Sequence, residues 1–288
     1  MKIGIGLPAM IPGIPGNRVA EWSRAAEEAG FASLSCTDRV DYETFDPFAA
    51  LAAAATVTER VTLRTAILLG PLRPAALMAK AALTLDRLSE GRFELGLGVG
   101  SRPGDYAAVG VDIHRRGEIL DSQVKQLVSI WREGDDRTSG GVVGPCPFTK
   151  PGPRLMFGGS SQATWRRVAE HGADWMCGHG GPDHFRKCSE ELERAWMEAG
   201  RPGRPRRLMA VYFALGDKGA EAVGTFIESY FGFAPFKEIL LAATPKSKSD
   251  VEAIVEKFTA AGCDELVLFP CAGGLEQVEL LAEAASRW

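Results

Sequence analysis

Residues 61–100 read VTLRTAILLGPLRPAALMAKAALTLDRLSEGRFELGLGVG. The first nine are a largely apolar run that stops at Gly70-Pro71, and an alanine- and leucine-rich segment from Ala75 to Leu88 has the length and spacing of a helix. Ser89-Glu90-Gly91-Arg92 ends it, and a second apolar run finishes in glycines at 96, 98 and 100. A buried strand, a helix and another buried strand imply a parallel sheet, in which ligands sit at the carboxyl ends of the strands. The glycines fall at that end, where missing side chains let a flat or phosphorylated ligand come close to the backbone.

The same alternation extends in both directions. Strands are expected at 2–7 and 32–36 before the segment, and at 154–157, 174–177, 208–215 and 265–269 after it. Helices are expected at 18–29, 47–58, 75–88, 117–131, 162–170, 183–199, 220–241, 248–260 and 275–286. A long loop around Pro103 and Gly104 and a Gly/Pro-rich stretch at 134–153 separate some of them. Gly30, Gly172 and Gly262 each stand between a helix and a strand, so one helix-ending turn is used three times. Eight strands, each followed by helix, close most economically as a (β/α)8 TIM barrel of one domain spanning 1–288. A doubly wound open sheet is the alternative arrangement of the same elements.

With 288 residues, 45% of them hydrophobic, the chain can bury a large core, and its formal charge of −4 disfavours a nucleic-acid partner. The arginine-rich stretch 201–207 reads as a solvated, proline-stiffened loop. No secretory pattern opens the chain, and its longest apolar run is half of a membrane span, so a cytoplasmic location without membrane contact is expected. The six cysteines lack metal-ligand or Cys-x-x-Cys spacing and read as reduced, mostly buried residues; no histidine pair suggests a metal. No Gly-x-Ser-x-Gly elbow supports a serine hydrolase.

Polar residues just after strands are the candidates for chemistry. Asp38 and Arg39 follow the second strand, where they either contact a heterocyclic cofactor or fix their own loop. Gly98, Val99 and Gly100 precede Ser101, Arg102, Asp105 and Tyr106, and Arg102-Pro103-Gly104 interrupts what would be a dinucleotide turn. Gly158, Gly159, Ser160 and Ser161 lead directly into a helix, a place for a phosphate on free amides or else a serine cap. His179 lies in a glycine loop as a proton donor or anion contact, whereas His184 is expected to face solvent. Tyr230, Phe231, Phe233 and Phe236 read as core packing, with a lid over the site as the alternative.

Leu88-Ser89-Glu90-Gly91-Arg92-Phe93 before a glycine-rich strand, with Thr65-Ala66-Ile67, Gly158-Gly159-Ser160 and Ala173-Asp174-Trp175, resembles the luciferase-like monooxygenase family. That family includes the bacterial luciferase type and the oxidoreductases using the deazaflavin coenzyme F420. The resemblance implies a TIM barrel, a non-prolyl cis peptide at Ala66 to Ile67 beneath the cofactor ring, an acidic contact at Asp38 and a phosphate turn at Gly159, Ser160 and Ser161. Arg39 stands where several deazaflavin enzymes have histidine, and Val99 where the luciferase branch has a phosphate-binding arginine. The Val99 departure leans toward F420 over FMN, whereas Arg39 departs from the deazaflavin pattern. The expected function is hydride transfer between F420 and a small organic substrate, with Arg39 and His179 as proton-transfer or orienting groups. An FMN-dependent monooxygenase served by a separate reductase and a non-catalytic flavin-binding protein are the alternatives. The apolar second and third helices suit a homodimer interface as well as barrel packing.

Overall fold

The computed structural model describes residues 1–133, 143–232 and 234–288. Its strands are β1 (Lys2–Gly6), β2 (Ser33–Cys36), β3 (Thr62–Thr65), β4 (Leu68–Leu69), β5 (Phe93–Gly98), β6 (Arg154–Gly158), β7 (Asp174–Cys177), β8 (Arg207–Phe213) and β9 (Glu265–Pro270). Each pairs in parallel with its neighbours, β1 lies between β2 and β9, and the ring closes where Leu63 and Arg64 of β3 face Phe93 and Glu94 of β5. β3 and β4 are two halves of one stave, interrupted at Ala66–Ile67. The segments therefore form an eight-staved (β/α)8 barrel and not an open sheet.

The surrounding helices are α1 (Arg18–Glu28), α2 (Pro47–Ala55), α3 (Ala75–Leu88), α4 (Pro103–Val109), α5 (Arg116–Glu133), α6 (Gln162–His171), α7 (Pro182–Glu198), α8 (Gly219–Phe231), α9 (Lys237–Ala243), α10 (Lys248–Ala260) and α11 (Glu276–Ala284). Local chemistry sets their ends. Asp46 accepts the Phe48 and Ala49 amides while Pro47 opens α2, and Ser247 and Asp250 form a reciprocal box at α10. Gly30, Gly172 and Gly262 take φ of +86°, +62° and +79°, so the repeated helix-ending turn is real.

Three expectations change. The loop around Pro103 contains α4, which Pro103 starts and the left-handed Gly110 ends, burying Tyr106. The helical segment 220–241 is two helices, because Pro235 follows a turn in which the Ala234 amide bonds to the Phe231 carbonyl. The arginines of 201–207 are engaged with the fold: Arg204 binds Asp264 bidentately at 2.7 Å, Arg207 binds Glu193, and Arg201 donates to the Ala169 carbonyl in the last turn of α6. Of the stretch 134–153, residues 134–142 lie outside the described residues.

Outward-facing strand residues such as Leu34, Leu63, Leu95, Leu97 and Leu268 pack with Trp22, Leu51, Leu83 and Val168 of the helices in one apolar layer. Inside, the N-terminal end of the barrel is filled by paired charges. Arg64 is fully buried and bonds Glu94 at 2.7 Å and Glu265 at 2.9 Å, and Arg206 bridges Glu94 and Asp174. Burial raises the Glu94 and Glu265 carboxyls, but the Arg64 charge outweighs it and holds both below the usual carboxylate range. None of this cluster was expected from the sequence.

Candidate active site at the carboxyl end of the barrel

At the other end the inward positions carry small residues: Ala66, Gly96, Gly98, Gly158 and Ala210. What fills part of the space is Ile67. A Cβ on Gly98 would fall 2.8 Å from Ile67 Cγ2, and one on Gly158 would fall 2.6 Å from Ile67 Cγ1. At Gly96 a Cβ would stand 2.1 Å from the Thr65 carbonyl. The glycines of the opening segment thus make room for the interrupted stave beside them. The Ala66–Ile67 peptide bond is cis, at the position the family resemblance implies.

Above Ile67 the interior stays partly open. Ile67, Gly158, Ala210 and Tyr212 are only half-buried, whereas Leu208 and Val267, inward residues one layer below, are sealed. Aromatic rings wall this recess. Tyr212 lies 6.1 Å from Phe269 and 5.4 Å from Phe231, and Tyr230 meets Tyr42 edge-on at 4.9 Å. Burial pushes the Tyr230 phenol up to about 12 despite the opposing pull of Arg39, and raises Tyr212 well above its usual value. Both phenols are therefore protonated at neutral pH and can donate. Tyr230 is buried and Phe231 half-buried, and both border the recess; Phe236 is exposed, and Phe233 lies outside the described residues.

Arg39 and Asp38 alternate to opposite sides of the loop after β2. Arg39 Nε bonds Asp105 at 2.8 Å, while Asp105 also accepts the Val40 and Asp41 amides. The Arg39 guanidinium lies 5.4 Å from the Tyr230 ring centre, against which Arg102 also stacks at 4.2 Å. Asp38 instead turns to Arg73, whose two terminal nitrogens meet its two oxygens, and to the Leu69 amide. Each residue fixes its loop through a different partner, and Asp38 joins the β2 end to the β4 end.

A third group surrounds the start of α6. Gly159 adopts φ +129°, and its carbonyl accepts the Trp175 indole at 2.7 Å. Ser161 caps the helix by accepting the Thr164 amide. Ser160 Oγ lies 3.3 Å from His179 Nε2, whose ring stands 5.0 Å from His184; burial and then His184 lower the His179 imidazole. His184 is half-buried against Cys188 rather than solvated. Val99 and Gly100 sit between these groups: the Val99 carbonyl accepts the Tyr106 phenol, and Gly100 turns at φ +64° over Leu69.

The structure thus gathers Ala66, Ile67, Gly98 and Gly158 in one place, and Gly159, Ser160, Ser161 and His179 in another. Arg39 belongs to a tyrosine cluster that was not anticipated. The alternation Leu208, Ala210, Tyr212 in RLMAVYF was the available signal, since it turns Tyr212 toward the barrel interior.

A closed parallel barrel with small inward residues at its carboxyl end makes this a (β/α)8 protein of the kind whose ligands sit at that end. The model of luciferase-like monooxygenases matches residues 1–264, and the chain belongs to that family of oxidoreductases. An uncharacterised protein of Mycobacterium tuberculosis is 32% identical over 211 residues, covering 62% of this chain and 71% of that protein. The monooxygenase RslO1 from Streptomyces bottropensis superposes with a TM-score of 0.83 at 21% identity, over 100% of this chain and 99% of its own. An F420-dependent secondary alcohol dehydrogenase with an F420-acetone adduct gives 0.78 at 19% identity over 99% of both chains. The FMN-bound oxygenating constituent of a diketocamphane monooxygenase from Pseudomonas putida gives 0.78 at 19%, over 100% and 98%.

Proposed function

We propose that this chain transfers a hydride between coenzyme F420 and a small organic substrate. The observation that carries this reading is the recess above Ile67, where Gly158, Ala210 and Tyr212 stay half-buried at a level that a filled barrel would seal. Such a slot suits a flat ring lying across the strand ends. Ala66, Ile67 and Gly98, Val99 and Gly100 would support the ring. Gly158, Gly159, Ser160 and Ser161 would hold a phosphate on the first amides of α6, which the helix dipole favours. Asp38, with Arg73 and Leu69 already bound, would keep the β2 and β4 ends in register beneath the ring system. Arg39 and His179 would orient substrate or carry a proton. When bound, F420 supplies the hydride-exchanging carbon and does not activate oxygen as a flavin does.

Charge favours F420 over FMN. The F420 phosphate is a singly charged diester, whereas FMN ends in a more highly charged monoester. The contacts of the α6 turn are Thr164, Trp175 and an imidazole held toward its neutral form, and Val99 stands where the luciferase branch has arginine. That environment matches the smaller charge better. Fluorescence titration of the purified protein with F420 and FMN separately tests the assignment. Binding of F420 without FMN is expected; FMN alone would make the chain a flavin monooxygenase, and neither would leave a cofactor-free role. Gly159→Val, placing a Cβ 2.8 Å from Thr164 Oγ1 at a left-handed φ, should weaken cofactor binding about tenfold or more. Unchanged affinity would remove the turn from the site.

A further inference from the structure

The hydrogen bonding of Arg39 is incomplete. Its side chain keeps 7% of its surface exposed, Asp105 takes Nε, the guanidinium also pairs with the Tyr230 phenol, and buried Nη1 has no hydrogen-bond partner among the described residues. An unpaired buried donor is costly, more so when it belongs to a charged group, so a ligand acceptor that completes it is favoured. The local charge points the same way. Arg39 and Arg102 both lie against Tyr230, and the nearby Asp105 carboxylate is divided among Arg39 Nε and two backbone amides. Around them stand the protonated phenols of Tyr212 and Tyr230 and the rings of Tyr42, Phe231 and Phe269. Aromatic walls favour a flat conjugated body, and the guanidinium favours an acidic oxygen on it.

We propose that Arg39 binds an anionic oxygen carried by a planar conjugated substrate, a ring carboxylate or an acidic phenol. Calling this molecule the substrate rests on the hydride-transfer reading; the anion site itself does not. Three probes test it: naphthoate, nitrophenolate and the neutral naphthylmethanol, each titrated into the full chain by ligand-observed NMR. The native protein should bind naphthoate or nitrophenolate at least about tenfold more tightly than naphthylmethanol. The stronger of the two anions then identifies the acid. Arg39→Met should erase the preference, and Arg39→Lys should restore part of it. Equal binding of all three probes by the native chain, or an undiminished preference in a folded Arg39→Met variant, overturns the proposal. Should Arg39→Met fail to fold because Asp105 loses its partner, the native comparison decides alone. Repeating the titration with saturating F420 separates substrate from cofactor: retained naphthoate binding supports the substrate site, and mutual displacement assigns the anion pocket to the cofactor ring and overturns it. If F420 does not bind while the anion preference holds, the hydride-transfer reading fails and the anion site stands.

Discussion

At the N-terminal end of the barrel Arg64, Glu94, Arg206 and Glu265 fill the interior with paired charges, while at the carboxyl end the corresponding inward positions carry glycine, alanine and isoleucine and stay partly open. Both ends obey the same strand alternation. They differ in what the side chains satisfy. Below, each charge finds its partner within the chain; above, Arg39 Nη1 and the half-buried Ala210 and Tyr212 leave hydrogen-bonding capacity and surface for something else. One end closes the fold and the other is available for chemistry, which is the division expected of this architecture.

Replacing one member of the lower cluster should have the largest effect. Arg64→Met leaves buried Glu265 without its cation and Glu94 with Arg206 alone, and urea unfolding should show a loss of ~3–5 kcal/mol. A loss below ~1 kcal/mol would mean that the cluster does not hold the barrel together. Acid should act on the same end to a smaller extent. Because Arg64 holds Glu94 and Glu265 below the usual carboxylate range, their contribution is complete above that range and fades as pH falls through their lowered values. Melting temperature against pH should accordingly fall more steeply below about pH 4.5 in the native protein than in Arg64→Met, and parallel curves would contradict the assignment. The smallest change in stability should come from the upper end. Ala210→Leu fills the recess with apolar atoms, so stability should stay within ~1 kcal/mol of the native value while cofactor affinity drops sharply. Destabilisation without loss of binding would show that the recess is not the ring site.

The repeating framework was legible because strand, helix and helix-ending glycine recur with a clear period, from Gly30 to Gly262. α4 was not, since Pro103 and Gly104 carry loop composition and only the left-handed Gly110 marks its end. Among the site residues, Gly159 and Ser161 announce themselves by type and order at a helix start. The Arg39 environment could not be seen, because its partners Asp105 and Tyr230, and Tyr212 packed against Tyr230, come from distant stretches and meet only when the barrel closes. The lower cluster was hidden for the same reason: Arg64 and Glu265 are 201 positions apart. Nor did the glycine string reveal its own use, since the same spacing serves a ligand or a neighbouring side chain.

Ile67 occupies volume that side chains at 98 and 158 would need. These three positions therefore cannot change independently. A methyl group at either glycine is harmful while Ile67 keeps its full size and becomes tolerable once Ile67 has been shortened, so the order in which substitutions arrive decides whether the chain survives them. For anyone reshaping the barrel mouth, trimming Ile67 enlarges the recess and also opens two new positions, on β5 and β6, from which side chains can reach whatever lies inside.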